Sequence, residues 1–175
     1  VTMTWTARQR LVEQYGVDAD RITVIPHGAG DMHLTLTGAV ARPERARPVI
    51  LTWGLLGEGK GIEWGIAAMA ALRDLDPRPV YSIVGDTHPK VVEREGEAYR
   101  RMLVAEVRRL GVDGLVAFED RYLATKELQR IVQDADVILL PYDSVDQVTS
   151  GVLVEAITAG KPVVSTRFPH AVELL

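Results

Sequence analysis

From residue 49 onward, short apolar runs alternate with amphipathic stretches of helical length, and this alternation leaves few folds open. The runs cover 49–53, 80–84, 115–118, 137–140 and 162–165. Runs this short and this apolar suit strands buried on both faces. Between them, Val92, Tyr99, Leu103, Val107 and Leu110 recur at spacings of 7, 4, 4 and 3, which predicts one helical face. Leu128, Ile131, Val132 and Ala135 form another, and a further helix is expected from Val152 to Ala159. Strands alternating with helices imply βαβ units. Right-handed crossovers then give an α/β fold with a Rossmann-like, doubly wound parallel sheet.

The first 48 residues are less regular. The sequence predicts a strand tail at 1–4, a helix over 5–15 stopped by Gly16, and a short strand at 22–25 ending before Pro26. Residues 32–48 carry two Arg-Pro pairs and read as a partly mobile linker loop. The chain starts at Val1 and stops where a helix begins near Pro169, so we expect a piece of a longer protein. The organisation expected is 1–31 as the end of a preceding domain and a crossing segment, 32–48 as linker, and 49–175 as the Rossmann-like domain.

Composition narrows the function. The 175 residues suit one domain with a real core. A net charge of −4 argues against a nucleic-acid partner, which needs a clustered basic surface. No stretch approaches the roughly 20 apolar residues of a spanning helix. With no cysteine, thiolate-metal sites are excluded, and a reducing, cytoplasmic setting is expected. His27, His33, His88 and His170 are scattered, so no metal site is expected.

In a doubly wound sheet, ligands bind beyond the carboxyl ends of the strands. After the first sheet strand comes Gly54-Leu55-Leu56-Gly57-Glu58-Gly59-Lys60-Gly61. Its glycines let backbone approach a ligand, and Lys60 adds a cation near a helix start, where anions are favoured. The loop nearly matches the P-loop of nucleoside triphosphatases, but Gly61 stands where Ser or Thr would hold magnesium. It is not a Gly-x-Gly-x-x-Gly fingerprint either. A tight turn with a solvated lysine is the plain alternative. After 137–140 come Pro141-Tyr142 and a polar loop to Thr149-Ser150-Gly151, both Thr149 and Ser150 being good N-cap types. Glu155 lies one turn beyond Gly151, where a carboxylate can accept from two vicinal hydroxyls while helix-end amides meet phosphates. A surface glutamate stabilised by the helix dipole is the alternative there. Asp86 and His88 share a third strand-end loop that could approach a ligand.

Taken together, Val24-Ile25-Pro26-His27-Gly28, Gly54 with Lys60-Gly61, Ile83-Val84-Gly85, Pro141-Tyr142, and Glu155-Ala156 with Gly160-Lys161-Pro162-Val163-Val164 come in the order of a known family. The chain resembles retaining glycosyltransferases of family 4. These have the GT-B fold, two Rossmann-like domains facing a cleft, and the resemblance covers essentially the whole chain as the C-terminal, donor-binding half. It implies transfer of a sugar from a nucleoside diphosphate sugar, with no cofactor. The acceptor, a glycan, lipid or small molecule, would be bound by the other domain, with peripheral membrane association of the whole protein left open. The fragment alone would be inactive.

By the same resemblance Lys60 and Gln147 would be catalytic, Lys60 on the donor diphosphate and Gln147 at the transferred sugar. Glu155 would hold the ribose. Gly54, Leu55, Gly59, Thr149 and Ser150 would line the donor, and the amides of Gly151, Val152 and Leu153 would face phosphates and sugar. Arg121 and Tyr122 would lie near the base. Three positions depart from the family: Leu55 replaces an Arg, Gln147 the first of two glutamates, and Ser150 a Gly. The alternatives are a non-catalytic nucleotide-sugar-binding module, another GT-B enzyme such as an epimerase or phosphorylase, and a P-loop-like hydrolase.

Overall fold

The structure is a computed structural model that describes residues 1–30 and 47–175. Most of the expected linker, and His33, lie outside the described residues. Five strands form one parallel sheet: β1 (Val49–Trp53), β2 (Val80–Val84), β3 (Val116–Glu119), β4 (Val137–Leu140) and β5 (Val163–Ser165), in the order β3-β2-β1-β4-β5. The helices are α1 (Trp5–Tyr15), α2 (Ile62–Ala71), α3 (Pro89–Glu95), α4 (Ala98–Leu110), α5 (Thr125–Asp134), α6 (Gly151–Thr158) and α7 (Pro169–Leu174). This is the α/β, Rossmann-like arrangement that the alternation requires.

Alternate residues of each strand point to opposite faces, so the sheet carries two cores. Leu51, Trp53, Ile138 and Leu140 pack with Leu153 and Ala156 of α6 and Val132 of α5. Tyr81 and Ile83 pack with Ile62 and Ile66 of α2 and Leu103 of α4. Among the described residues no helix is long and apolar enough to cross a membrane.

The single helix expected to carry Val92 through Leu110 is in fact two. Gly96, at φ +58, ends α3, and α4 restarts at Ala98. Tyr99, Leu103 and Val107 are buried as the spacing predicts, but Val92 belongs to the other helix and is 42 % exposed. The strands expected at 1–4 and 22–25 reduce to one parallel bridge, Thr2 to Val24. A two-residue pairing with no neighbouring strand cannot propagate a ladder.

α1 runs from a Thr4 cap, whose Oγ1 accepts the Ala7 amide at 3.1 Å, to left-handed Gly16. Its start is also held from across the chain. Glu173 of α7 accepts the Trp5 and Thr6 amides at 2.8 and 2.9 Å and the Thr6 hydroxyl at 2.7 Å. Burial alone would raise the Glu173 pKa, but these donors outweigh it and hold it below the usual carboxylate range. Such a group contributes stability at neutral pH that is lost as pH falls through the lowered folded value. Glu173→Ala is therefore expected to cost about 1 kcal/mol near pH 7, as for a lost cap. The deficit should shrink in acid, as pH falls from the unfolded carboxyl's value toward the lowered folded one. Urea titrations at pH 7 and pH 3 check this, and an equal deficit at both would refute it.

Candidate functional site

The chain leaves β1 toward β2 and β3 on one side and returns to β4 and β5 on the other, so the strand order reverses between β1 and β4. The crevice outside these two carboxyl ends is where such sheets bind ligands. Two loops flank it, 54–61 after β1 and 141–150 after β4. They meet at Gly61, where φ is +59 and an added Cβ would lie 1.9 Å from the Pro141 carbonyl oxygen. Gly61 also caps α2 without a side-chain bond, so the preceding Lys60 projects at a helix start.

Lys60 donates from Nζ to Oε1 of Gln147 at 3.3 Å and sits 4.3 Å from the centre of the Tyr142 ring. Gln147 is oriented in turn by donating from Nε2 to the Thr149 carbonyl. Tyr142 is buried and stacks, tilted, on Phe168 at 4.9 Å. Burial lowers the Lys60 pKa. An amide oxygen and an aromatic face attract the ammonium but do not neutralise it. Its charge remains available to an anion.

The opposite wall is the start of α6. Ser150 supplies the cap: its Oγ accepts the Leu153 amide at 3.2 Å, and its own amide donates to Nδ1 of His170 at 2.7 Å. The Leu153 amide is thereby bonded to its own cap. Thr149 gives its carbonyl to Gln147 instead of capping. The amides of Gly151 and Val152 have no carbonyl within their own helix to bond. A Cβ on Gly54 would lie 3.5 Å from Cγ2 of Val152, which sets the α6 start against the glycine loop. The His27 ring fills the space beside Gly151, its Cε1 and Nε2 each 3.2 Å from where a Cβ would stand. His170 is buried and its pKa is lowered, first by desolvation. Its Nδ1 must stay unprotonated to accept the Ser150 amide. Glu155 accepts a bond from Nε1 of Trp53, the last residue of β1, at 3.3 Å.

Beside this crevice lies an apolar cleft of about 120 Å³, walled by Trp53, Val84, Leu123 and Leu128 and rimmed by Leu55 and Tyr122. Arg121 also borders it. Its Nε and Nη1 reach Glu119 and Glu127 at 2.7 and 2.9 Å, so two carboxylates already compensate its charge and raise its pKa, Glu127 most. On the loop after β2, the Asp86 carbonyl accepts the Leu56 amide at 2.8 Å, and His88 caps α3 by accepting the Lys90 amide at 3.2 Å. Among the described residues no three His, Asp or Glu side chains converge as a metal site would require.

Residues 47–175 match the family model of glycosyl transferases group 1. The chain belongs to this family. No curated protein sequence matches it. Among solved structures, HepE from Anabaena, crystallised with UDP and glucose, superposes with a TM-score of 0.77 at 22 % identity, over 99 % of this chain and 46 % of its own. WaaG, a glycosyltransferase of lipopolysaccharide biosynthesis, gives 0.75 at 23 % identity, over 97 % and 45 %. The C-terminal domain of LpcC, a group 1 protein of Francisella tularensis, gives 0.58 at 16 % identity, over 74 % and 62 %. These are GT-B glycosyltransferases, and the chain spans under half the length of the first two.

In this group 1 chain the fold brings Lys60 and Gln147 into contact and sets Gly54 against Val152. Arg121 and Tyr122 stand apart from that contact, at the apolar cleft. Two site residues had no sequence signal of their own. Trp53 looked like one more apolar strand residue, and His170 like one of several scattered histidines.

Proposed function

We propose that the chain is the donor-binding half of a retaining glycosyltransferase that transfers a sugar from a nucleoside diphosphate sugar. The observation that carries this is the Lys60 ammonium, held by neutral Gln147 and Tyr142 in the loops that flank the crevice. A diphosphate fits between a cation and a helix start. Glu155 holds the ribose hydroxyls, and the apolar cleft takes the base. The UDP, and UDP-glucose, bound to the similar HepE support this choice of ligand. As the glycosidic bond breaks, the sugar gains oxocarbenium character and charge builds on the departing diphosphate. Lys60 and the helix-end amides are preorganised for that charge. Gln147 offers the transferred sugar hydrogen bonding without charge.

In this reading residues 1–31 end the preceding domain and cross the cleft, and 49–175 form the donor domain. A partner domain binds the glycan, lipid or small-molecule acceptor, so the chain alone does not transfer sugar. Neutral Gln147, where the family resemblance expects a glutamate, favours one second reading, a module that binds nucleotide sugars without turnover.

A thermal-shift panel of nucleoside diphosphate sugars tests the donor site, because a ligand at 100 times its Kd stabilises a fold by about 2.7 kcal/mol. At least one UDP-, GDP- or ADP-sugar is expected to raise Tm. Glu155→Ala should weaken that donor about tenfold or more, as for a lost charge-assisted hydrogen bond. A panel with no shift would refute the donor site, and an unchanged affinity in the variant would refute the role of Glu155.

A further inference from the structure

Arg100 is the one residue of the α4 core face that a stability argument does not explain. Its neighbours on that face, Tyr99, Leu103 and Val107, are buried and apolar, and Arg100 itself is only 9 % exposed. Its Nη1 is buried with no hydrogen-bond partner among the described residues. A buried guanidinium left partly unpaired is expensive, and a well-packed apolar side chain often serves a core as well or better.

What this guanidinium does is hold two loops at once. Nη2 donates to the Gly85 carbonyl at 2.7 Å and pairs with Oδ1 of Asp120 at 2.9 Å. Nε reaches Oγ1 of Thr87 at 3.4 Å. Gly85 is pinned from its other side, its amide donating to the Glu119 carbonyl at 2.9 Å. The loop after β2 lends Gly85 and Asp86 to the apolar cleft, and the loop after β3 lends Arg121 and Tyr122.

We propose that Arg100 is a positioning residue for the donor: by tying the Gly85 carbonyl to Asp120 it sets the spacing of the two loops that wall the base cleft. This rests on the donor reading above. It acts chiefly at the base end, because the tie joins the loops after β2 and β3, whereas Lys60 and the α6 amides lie on the loops after β1 and β4.

Calorimetry of UDP, or whichever of UDP, GDP and ADP binds wild type most tightly, is set beside inorganic pyrophosphate measured by competition. Arg100→Met keeps most of the packing volume and is expected to weaken the nucleotide about tenfold with pyrophosphate unchanged. Asp120→Asn loosens the same tie from its exposed end, leaves the core intact, and is expected to weaken the nucleotide about threefold. If Arg100→Met does not fold, Asp120→Asn decides. Equal loss of nucleotide and pyrophosphate, or unchanged nucleotide affinity in the folded variants, overturns the role of Arg100 alone. Wild type binding none of the three nucleotides overturns the donor reading and this inference with it.

Discussion

Lys60→Ala is expected to weaken nucleoside diphosphate binding by roughly 10- to 100-fold, the equivalent of one charge-assisted hydrogen bond. In a protein carrying both walls of the cleft it should slow transfer by roughly 10²–10³, because a preorganised group facing the developing charge contributes more in the transition state than in the ground state. The reasoning is electrostatic. Lys60 is partly desolvated and its contacts with Gln147 and Tyr142 are neutral, so no ion pair among the described residues cancels its charge before the ligand arrives. The same burial fixes a pH dependence. Because the pKa is lowered, the ammonium is lost below the ordinary lysine range, and affinity should fall as pH rises through that lowered value. The alanine variant should lack this limb. Without ligand the sign reverses: the fold bears the desolvated ammonium at neutral pH and is relieved of it as pH rises. Lys60→Met is therefore expected to melt no lower than wild type while binding far less. Calorimetry with UDP between pH 7 and 10, beside melting curves of the free proteins, checks each part. Wild-type affinity flat across that range, or retained in Lys60→Ala, would remove the lysine from the site.

The sheet was legible because its strands are buried on both faces, so apolar runs and strand-end turns coincide in sequence. The start of β3 and the start of β5 each fall one residue later than the runs suggest, although the carbonyls of Leu115 and Pro162 still accept the Tyr81 and Ile138 amides, both at 2.8 Å. The stretch from Val92 to Leu110 misled for a physical reason. Spacings of 7 and 4 continue a helical face across any gap of the right length, and Gly96 breaks the backbone inside that gap. The site was legible as far as its loops, because topology sends them to one end of the sheet. Which side chains meet there was not. Lys60 and Gln147 stand 87 positions apart, and Trp53 and Glu155 stand 102 apart. Such pairings depend on which strands are neighbours. Arg100 was least legible of all, since a helical wheel assigns it a face but not the carbonyl it holds.

Gly85→Ala is expected to damage the fold severely. At φ +135 the residue lies in a region that L side chains rarely adopt, and an added Cβ would stand 2.0 Å from the Gly54 carbonyl oxygen and 2.9 Å from its carbon. Both are backbone atoms, so no rotamer change relieves the clash. The Gly54 amide donates to the Val84 carbonyl at 3.0 Å and the Leu56 amide to Asp86 at 2.8 Å, and moving Gly54 away strains both. Backbone strain of about 1–3 kcal/mol and overpacking of a similar size together predict a loss of about 2–6 kcal/mol. That is a large share of the roughly 5–15 kcal/mol that holds a domain folded. Gly114→Ala is the matched control. An added Cβ there meets nothing within 4 Å and φ is not positive, so its effect should stay within about 0.5 kcal/mol. Urea denaturation of the two variants separates local strain from the general effect of adding a methyl group. A Gly85→Ala protein within about 1 kcal/mol of wild type would mean that β1 and β2 do not end in the close backbone contact that shapes the crevice.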